Sequence, residues 1–96
     1  MIRTFGDEPT SDVYHGRETK AARKLPKELW PVIRRKLDAI HQARSLQDLR
    51  LPAGNRLEAL KGDRAGHFSI RVNERYRITF RFEEGKADDV ACEDYH

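Results

Sequence analysis

Two adjacent runs of strict alternation constrain this chain more than any other feature. In His67–Asn73 the apolar residues Phe68, Ile70 and Val72 are interleaved with His67, Ser69, Arg71 and Asn73. In Arg75–Phe82 the apolar set is Tyr76, Ile78, Phe80 and Phe82, interleaved with Arg75, Arg77, Thr79 and Arg81. A period of two puts each set on one face of a strand. Runs joined at Asn73-Glu74 predict an antiparallel hairpin, although the link lacks the Asn-Gly dipeptide that most favours a tight hairpin turn. The apolar face needs a cover. If helices supply it, Arg71, Arg77, Thr79 and Arg81 project from the opposite, uncovered face.

The cover is legible upstream. Leu29, Ile33, Leu37 and Ile40 recur at helical spacing, Trp30 and Ala43 broaden the stripe, and Arg34, Arg35, Lys36 and Asp38 lie on the other side. This predicts a helix over about residues 27–44. Pro26 and Pro31 could each be a first-turn proline, or Pro31 could kink a helix already begun. Earlier, Ile2–Phe5 alternates as a short strand closed by Gly6. Asp7–His15 reads as a short helix with Asp7 as its cap, Pro9 in the first turn and Gly16 at the left-handed C-terminal position. Arg17–Lys27 is basic loop or frayed helix, Ser45–Leu49 one further turn, and 51–55 loop. Leu57–Leu60 predicts a strand before the Lys61–Gly66 turn, and Asp89–Tyr95 a last one. At 96 residues, with no internal repeat or linker, this is one α+β unit spanning 1–96.

The net charge of +3 is what remains after much greater local charges cancel: +4 over residues 1–55, +4 over 56–81 and −5 over 82–96. The middle segment owes its charge to Arg56, Lys61, Arg64, Arg71, Arg75, Arg77 and Arg81. Such a cluster suits a polyanion, since a guanidinium presents a planar fork to phosphate oxygens. A solvated face ion-paired to the acidic tail is the other reading. No apolar run approaches the roughly 20 residues of a membrane span, and Met1–Phe5 lacks the apolar core of a signal peptide. Cytoplasmic residence is the expectation. Cys92, the one cysteine, cannot form an internal disulfide and reads as a small buried strand residue. Four scattered histidines with one cysteine show no zinc spacing, and no phosphate-binding glycine loop or metalloprotease motif occurs. No metal and no cofactor are therefore expected.

An arginine-bearing face, Lys61 nearby, and an ending of Asp94-Tyr95-His96 hold the parts for phosphodiester cleavage. Cations stabilise the extra charge on a pentacovalent phosphate, while His, Tyr or a carboxylate moves protons. RNA brings its own nucleophile in the 2′-hydroxyl. Each part also has a plain structural reading: His96 as a frayed end, Tyr95 as strand-edge packing, Lys61 as a solvated turn residue. His15, His41 and His67 read as surface or packing residues.

The stretch Asn55–Gly66, continued by Ser69–Asn73 and Tyr76–Phe80, resembles the HigB group of RelE-like bacterial toxins, as do the opening Met1–Phe5 and the ending Glu93–His96. The matching motifs cover most of the chain in the same order, while residues 6–44 match only in length and helical character. The resemblance implies a RelE-type α+β fold with two N-terminal helices on one face of a twisted, mostly antiparallel sheet. It also implies a toxin that cleaves messenger RNA in the A site of the 70S ribosome, restrained by a HigA-like helix-turn-helix antitoxin through which it reaches operator DNA indirectly. The family's functional residues map onto Lys61, Arg77, Asp94, Tyr95 and His96. Arg71 joins them by alternation, and Arg56, Arg64 and Arg81 are further candidates for RNA phosphates. Where some members carry a histidine two residues after the strand-opening arginine, this chain has Glu58, which could replace it as general base or merely pair with Arg56 or Arg77. The implied chemistry is metal-independent attack by the 2′-hydroxyl. Lys61, Arg77 and Arg71 bind the phosphate, Tyr95 orients, His96 or Glu58 takes the proton, and Asp94 holds His96.

Two other readings use the same basic face. One is a non-catalytic RNA- or ribosome-binding inhibitor of translation; the other is a degenerate toxin retained as partner and corepressor of a DNA-binding antitoxin. No recognition helix with the helix-turn-helix pattern stands out.

Overall fold

In the computed structural model, which describes residues 1–95, the alternating runs become the centre of a four-stranded antiparallel sheet. Its strands are β1 (Glu58–Ala59), β2 (His67–Arg71), β3 (Tyr76–Glu83) and β4 (Lys86–Asp94), in the spatial order β1-β2-β3-β4. The β2–β3 turn is closed by Asn73, whose Oδ1 accepts from the backbone N–H groups of Arg75 and Tyr76 at 2.9 and 2.7 Å. A side-chain amide thus supplies the turn chemistry that an Asn-Gly pair would otherwise provide.

The β3–β4 hairpin is tighter. Glu83 pairs with Lys86 across the two residues Glu84 and Gly85, at φ 50° and 76°. Positive φ at both central positions suits the right-handed twist of the flanking strands. The last strand therefore begins at Lys86, three residues before the sequence-based expectation, because alternation breaks inside it. Thr79 pairs with Ala91 but Arg81 with Asp88, so β4 carries one extra residue there, and Asp89 sits at φ 54°. This bulge lets Ala87 and Val90, three positions apart, both face the core.

Ile2–Phe5, expected as a strand, is two parallel bridges, Ile2 to Ala87 and Phe5 to Val90. The segment lies on the outer edge of β4 through Arg3 N–H to Ala87 O and Gly6 N–H to Val90 O, both 2.8 Å. The bulge interrupts its pairing between the two contacts.

Helix α1 (Glu8–Tyr14) starts where Asp7 accepts from the Thr10 N–H at 2.9 Å and ends before Gly16 at φ 74°. Helix α2 (Trp30–Gln42) is preceded by a 3-10 turn over Lys27–Leu29, so the regular helix begins three residues later than expected. Pro31 falls in its first turn, where a missing N–H costs no hydrogen bond, and causes no kink. Trp30, Ile33, Leu37 and Ile40 pack with Val13, Ile70, Ile78, Phe80, Val90 and Cys92 in the core between helices and sheet. Full burial of each large aliphatic or aromatic side chain is worth about 1.5–3 kcal/mol, so this stripe fixes which face the sheet turns outward. The basic stretch after α1 is loop with one 3-10 turn, Ala22–Lys24, tied to the core by Ala22 and Leu25.

Candidate functional site

On the sheet face away from the helices, the register sets Arg71 of β2 directly opposite Arg77 of β3. Like charges in that relation repel, so their juxtaposition calls for compensation. Part of it comes from β1. Glu58 pairs with Ser69 in the ladder, which brings its carboxylate to 3.7 Å from the Arg77 guanidinium. Arg77 also donates from Nε to Ser69 Oγ at 2.8 Å and from Nη2 to the Arg56 carbonyl at 2.5 Å. Arg56 presents that carbonyl because its backbone turns through φ 45° on the way into β1. These bonds use Nε and Nη2; no hydrogen bond among the described residues involves the Nη1 group of Arg77.

The face is thus not open along its whole length, contrary to expectation. Ser69 and Thr79 are fully buried and Arg77 is 9% exposed: the Arg77 side chain lies against Ser69, and the Arg64 side chain reaches Thr79. One hollow, of about 510 Å³, opens at the Arg71 end, lined by Arg56, Glu58, Arg71, Asn73, Glu74, Arg77 and Tyr95. Tyr95 is held there as the ladder runs on, its N–H donating to the Arg75 carbonyl at 2.6 Å.

Five of the residues singled out from the sequence therefore meet: Arg56, Glu58, Arg71, Arg77 and Tyr95. Asn73 and Glu74 join them unanticipated; their position in the turn that directly follows Arg71 was the available signal. Asp94, adjacent to Tyr95, is ion-paired to Arg75 at 2.8 Å. His96 lies outside the described residues. Lys61 is exposed at the start of the 3-10 turn Gly62–Arg64 and does not line the hollow.

Two expected phosphate ligands sit elsewhere. Arg81 is 3.9 Å from Asp89 and lines a separate hollow with Arg3, Asp88 and Asp89. Arg64 forms a forked pair with Glu93, Nη1 to Oε1 at 3.1 Å and Nη2 to Oε2 at 2.7 Å, and donates to Thr79 Oγ1 at 3.1 Å. The Arg64 fork, with a further bond from the Thr79 hydroxyl, holds the Glu93 carboxyl below the usual carboxylate range. Cys92 is buried on the helix side, and desolvation pushes its thiol up to about 12. His15, His41 and His67 do not line the hollow; His41 Nδ1 accepts from the Ile2 N–H at 3.1 Å. No cluster of three or more His, Cys, Asp or Glu side chains among the described residues is placed to hold a metal ion.

Opposed arginines, one of them fixed by its neighbours, beside a carboxylate and a phenol, form a receptor for an anion with proton-transfer groups at its rim. Against known proteins, residues 3–96 match a family model described as the RelE-like toxin of the type II toxin-antitoxin system HigB. The chain belongs to the HigB-like toxin family.

Toxin HigB-1 of Vibrio cholerae is 40% identical to it over 87 residues, which are 91% of this chain and 90% of that one. The Endoribonuclease HigB of Proteus vulgaris is 51% identical over 41 residues, 43% of this chain and 45% of that one. Among solved structures, a YoeB-YefM complex from Staphylococcus aureus superposes with a TM-score of 0.61 at 17% identity, covering 100% of this chain and 98% of that one. A YoeB/ParE toxin from Agrobacterium tumefaciens gives 0.56, at 17% identity and 99% and 98% coverage. At that identity the likeness is one of fold, and it places this HigB-like chain on the RelE-like α+β scaffold. No helix among the described residues is long and apolar enough to cross a membrane.

Proposed function

We propose that this HigB-like toxin is a metal-independent endoribonuclease that cuts messenger RNA in the ribosomal A site. The observation that carries the reading is the placement of Arg71 opposite Arg77 in one hollow with Glu58 and Tyr95. The name of the Proteus vulgaris relative, an endoribonuclease, supports the same chemistry.

The scissile phosphate binds between Arg71 and Arg77, with Arg56 and Lys61 contacting flanking phosphates. Glu58 removes the proton of the 2′-hydroxyl; the 2′-oxygen forms a bond to phosphorus as the bond to the 5′-oxygen breaks. The departing electron pair stays on the 5′-oxygen, which takes a proton from His96, next in the chain after Tyr95. The products are a 2′,3′-cyclic phosphate and a 5′-hydroxyl. Tyr95 orients the nucleotide by hydrogen bonding or stacking, Asp94 steadies the histidine, and the two arginines stabilise the charge that builds on the phosphate. A site this shallow relies on the ribosome to present its substrate. The toxin acts in the cytoplasm and is restrained by a HigA-like helix-turn-helix antitoxin, through which it reaches operator DNA.

Mapping messenger 5′ ends after brief induction tests the proposal, in wild type, in Arg77→Lys and in a chain ending at Glu93. Codon-phased cuts in wild type that disappear in both variants are expected. Growth arrest without cuts favours inhibition by occupancy, and neither arrest nor cuts a degenerate toxin; either outcome overturns the enzyme reading.

A further inference from the structure

The register that opposes Arg71 to Arg77 on one side opposes Glu93 to Arg77 on the other. Directly opposite residues in an antiparallel pair have Cβ atoms about 5 Å apart, close enough for a carboxylate on β4 to reach the guanidinium on β3. Yet Arg77 turns its fork toward Ser69 and Arg56, away from Glu93. The Glu93 carboxylate is occupied instead, by both Nη groups of Arg64 and by the Thr79 hydroxyl. Arg64 comes from the turn between β1 and β2, so a residue remote in sequence neutralises the one acid that faces Arg77 across β4.

We propose that Arg64 is a positioning residue that withholds Glu93 from Arg77, leaving the Arg77 guanidinium available to the substrate phosphate. The alternative role suggested by its charge, a direct phosphate contact, fits poorly with a fork already spent on a carboxylate. Glu58 already stands 3.7 Å from Arg77, and a second carboxylate released on its other side competes with RNA for the donors that remain. The Arg64 fork, the first cause of a Glu93 carboxyl held below the usual carboxylate range, keeps Glu93 charged and paired, in agreement with this arrangement. The inference rests on Arg77 as the phosphate ligand of the proposed reaction.

The test compares Arg64→Ala, Glu93→Gln with Arg64→Ala combined, Arg64→Lys and Arg77→Lys, measuring kcat and KM for cleavage of ribosome-bound messenger RNA alongside thermal unfolding. Arg64→Ala is expected to lower kcat/KM on the order of 100-fold, the scale of a misplaced catalytic group. Removing the Glu93 charge in the same chain is expected to restore most of that loss without raising the unfolding temperature. A structural role or a direct phosphate contact predicts no such restoration, so a double variant as slow as Arg64→Ala overturns the inference. Full activity of Arg64→Ala overturns it too. Should Arg64→Ala fail to fold, Arg64→Lys, which keeps the charge without the fork, is expected to lose roughly 10-fold or less and to be rescued by Glu93→Gln; absence of both effects is equally fatal. Full activity of Arg77→Lys sinks the reading of the site itself, independently of Arg64.

Discussion

In the proposed reaction, Glu58 is the residue on which the chemistry turns. Its carboxylate stands 3.7 Å from Arg77 and lines the same hollow as Tyr95, so it can both steady the arginine and accept a proton. Glu58→Gln preserves shape and the hydrogen-bonding capacity toward Arg77 while removing the basic function. Cleavage is expected to fall by roughly 100- to 10,000-fold, with loss of the acid limb of the pH–rate profile. Single-turnover cleavage across pH checks it, and an unchanged profile removes Glu58 from the role. Cys92 offers the converse case of a reactive residue type made inert. Its thiol, pushed up to about 12 by burial, should resist alkylation in the native protein and react only on unfolding, which mass spectrometry after pulsed labelling reads directly. Both residues were singled out from the sequence, Cys92 from its place in an alternating strand and Glu58 only through the family resemblance, since it stands where some HigB toxins carry a histidine. The distance between Glu58 and Arg77 was not legible, because it arises from a two-residue strand whose register no local pattern specifies.

At the level of elements, the sheet's central hairpin was readable because two alternating runs admit one register that hides both apolar sets. β4 was readable only in part. Its bulge shifts the inward set from Ala87 to Val90, and a period-two template loses the strand at that step. The bulge makes a specific prediction. Asp89 occupies φ 54°, which glycine adopts without a Cβ penalty, so Asp89→Gly should leave the fold intact and change stability by about 1 kcal/mol or less, toward stabilisation. Deleting Asp89 should instead restore a period of two, with Ala87 and Val90 still inward and Asp88 still outward, but put the edge bridges of Ile2 to Ala87 and Phe5 to Val90 out of step and so lower stability; thermal denaturation of the two variants decides. The segment after α1 is tied down differently, by Asp12 accepting from Arg17 at 3.1 Å and from Thr19 at 2.5 Å. Those bonds, Thr19 first, hold the Asp12 carboxyl below its ordinary value. A depressed carboxylate contributes stability above its unfolded-state value and loses it as pH falls through the folded one. The unfolding temperature of the wild type should therefore drop as pH falls below the ordinary carboxylate range, and less steeply in Asp12→Asn.

Across the whole molecule, charge is sorted by strand pairing. The acidic end of the chain becomes β4, and its carboxylates each meet an arginine from elsewhere: Asp88 meets Arg3, Asp89 meets Arg81, Glu93 meets Arg64 and Asp94 meets Arg75. From the sequence the basic cluster and the acidic tail could only be read as opposing totals. Folding leaves Arg56 and Arg71 without an ion-pair partner among the described residues, both at the hollow that also holds Arg77. The electrostatic footprint for RNA is accordingly narrower than the arginine count implies, and two arginines on the same sheet face should behave differently. Arg71→Ala should weaken binding to ribosome-bound messenger RNA and reduce the slope of log affinity against log salt by roughly one, the signature of a lost phosphate contact. Arg81→Ala should leave the slope unchanged, since its charge already serves Asp89 at the far end of the sheet. Binding titrations of both variants at several potassium concentrations, with the scissile 2′-hydroxyl replaced by hydrogen to prevent cleavage, separate the two. Equal slopes for the two variants would mean that RNA spans the whole face and that the pairing along β4 opens when it binds.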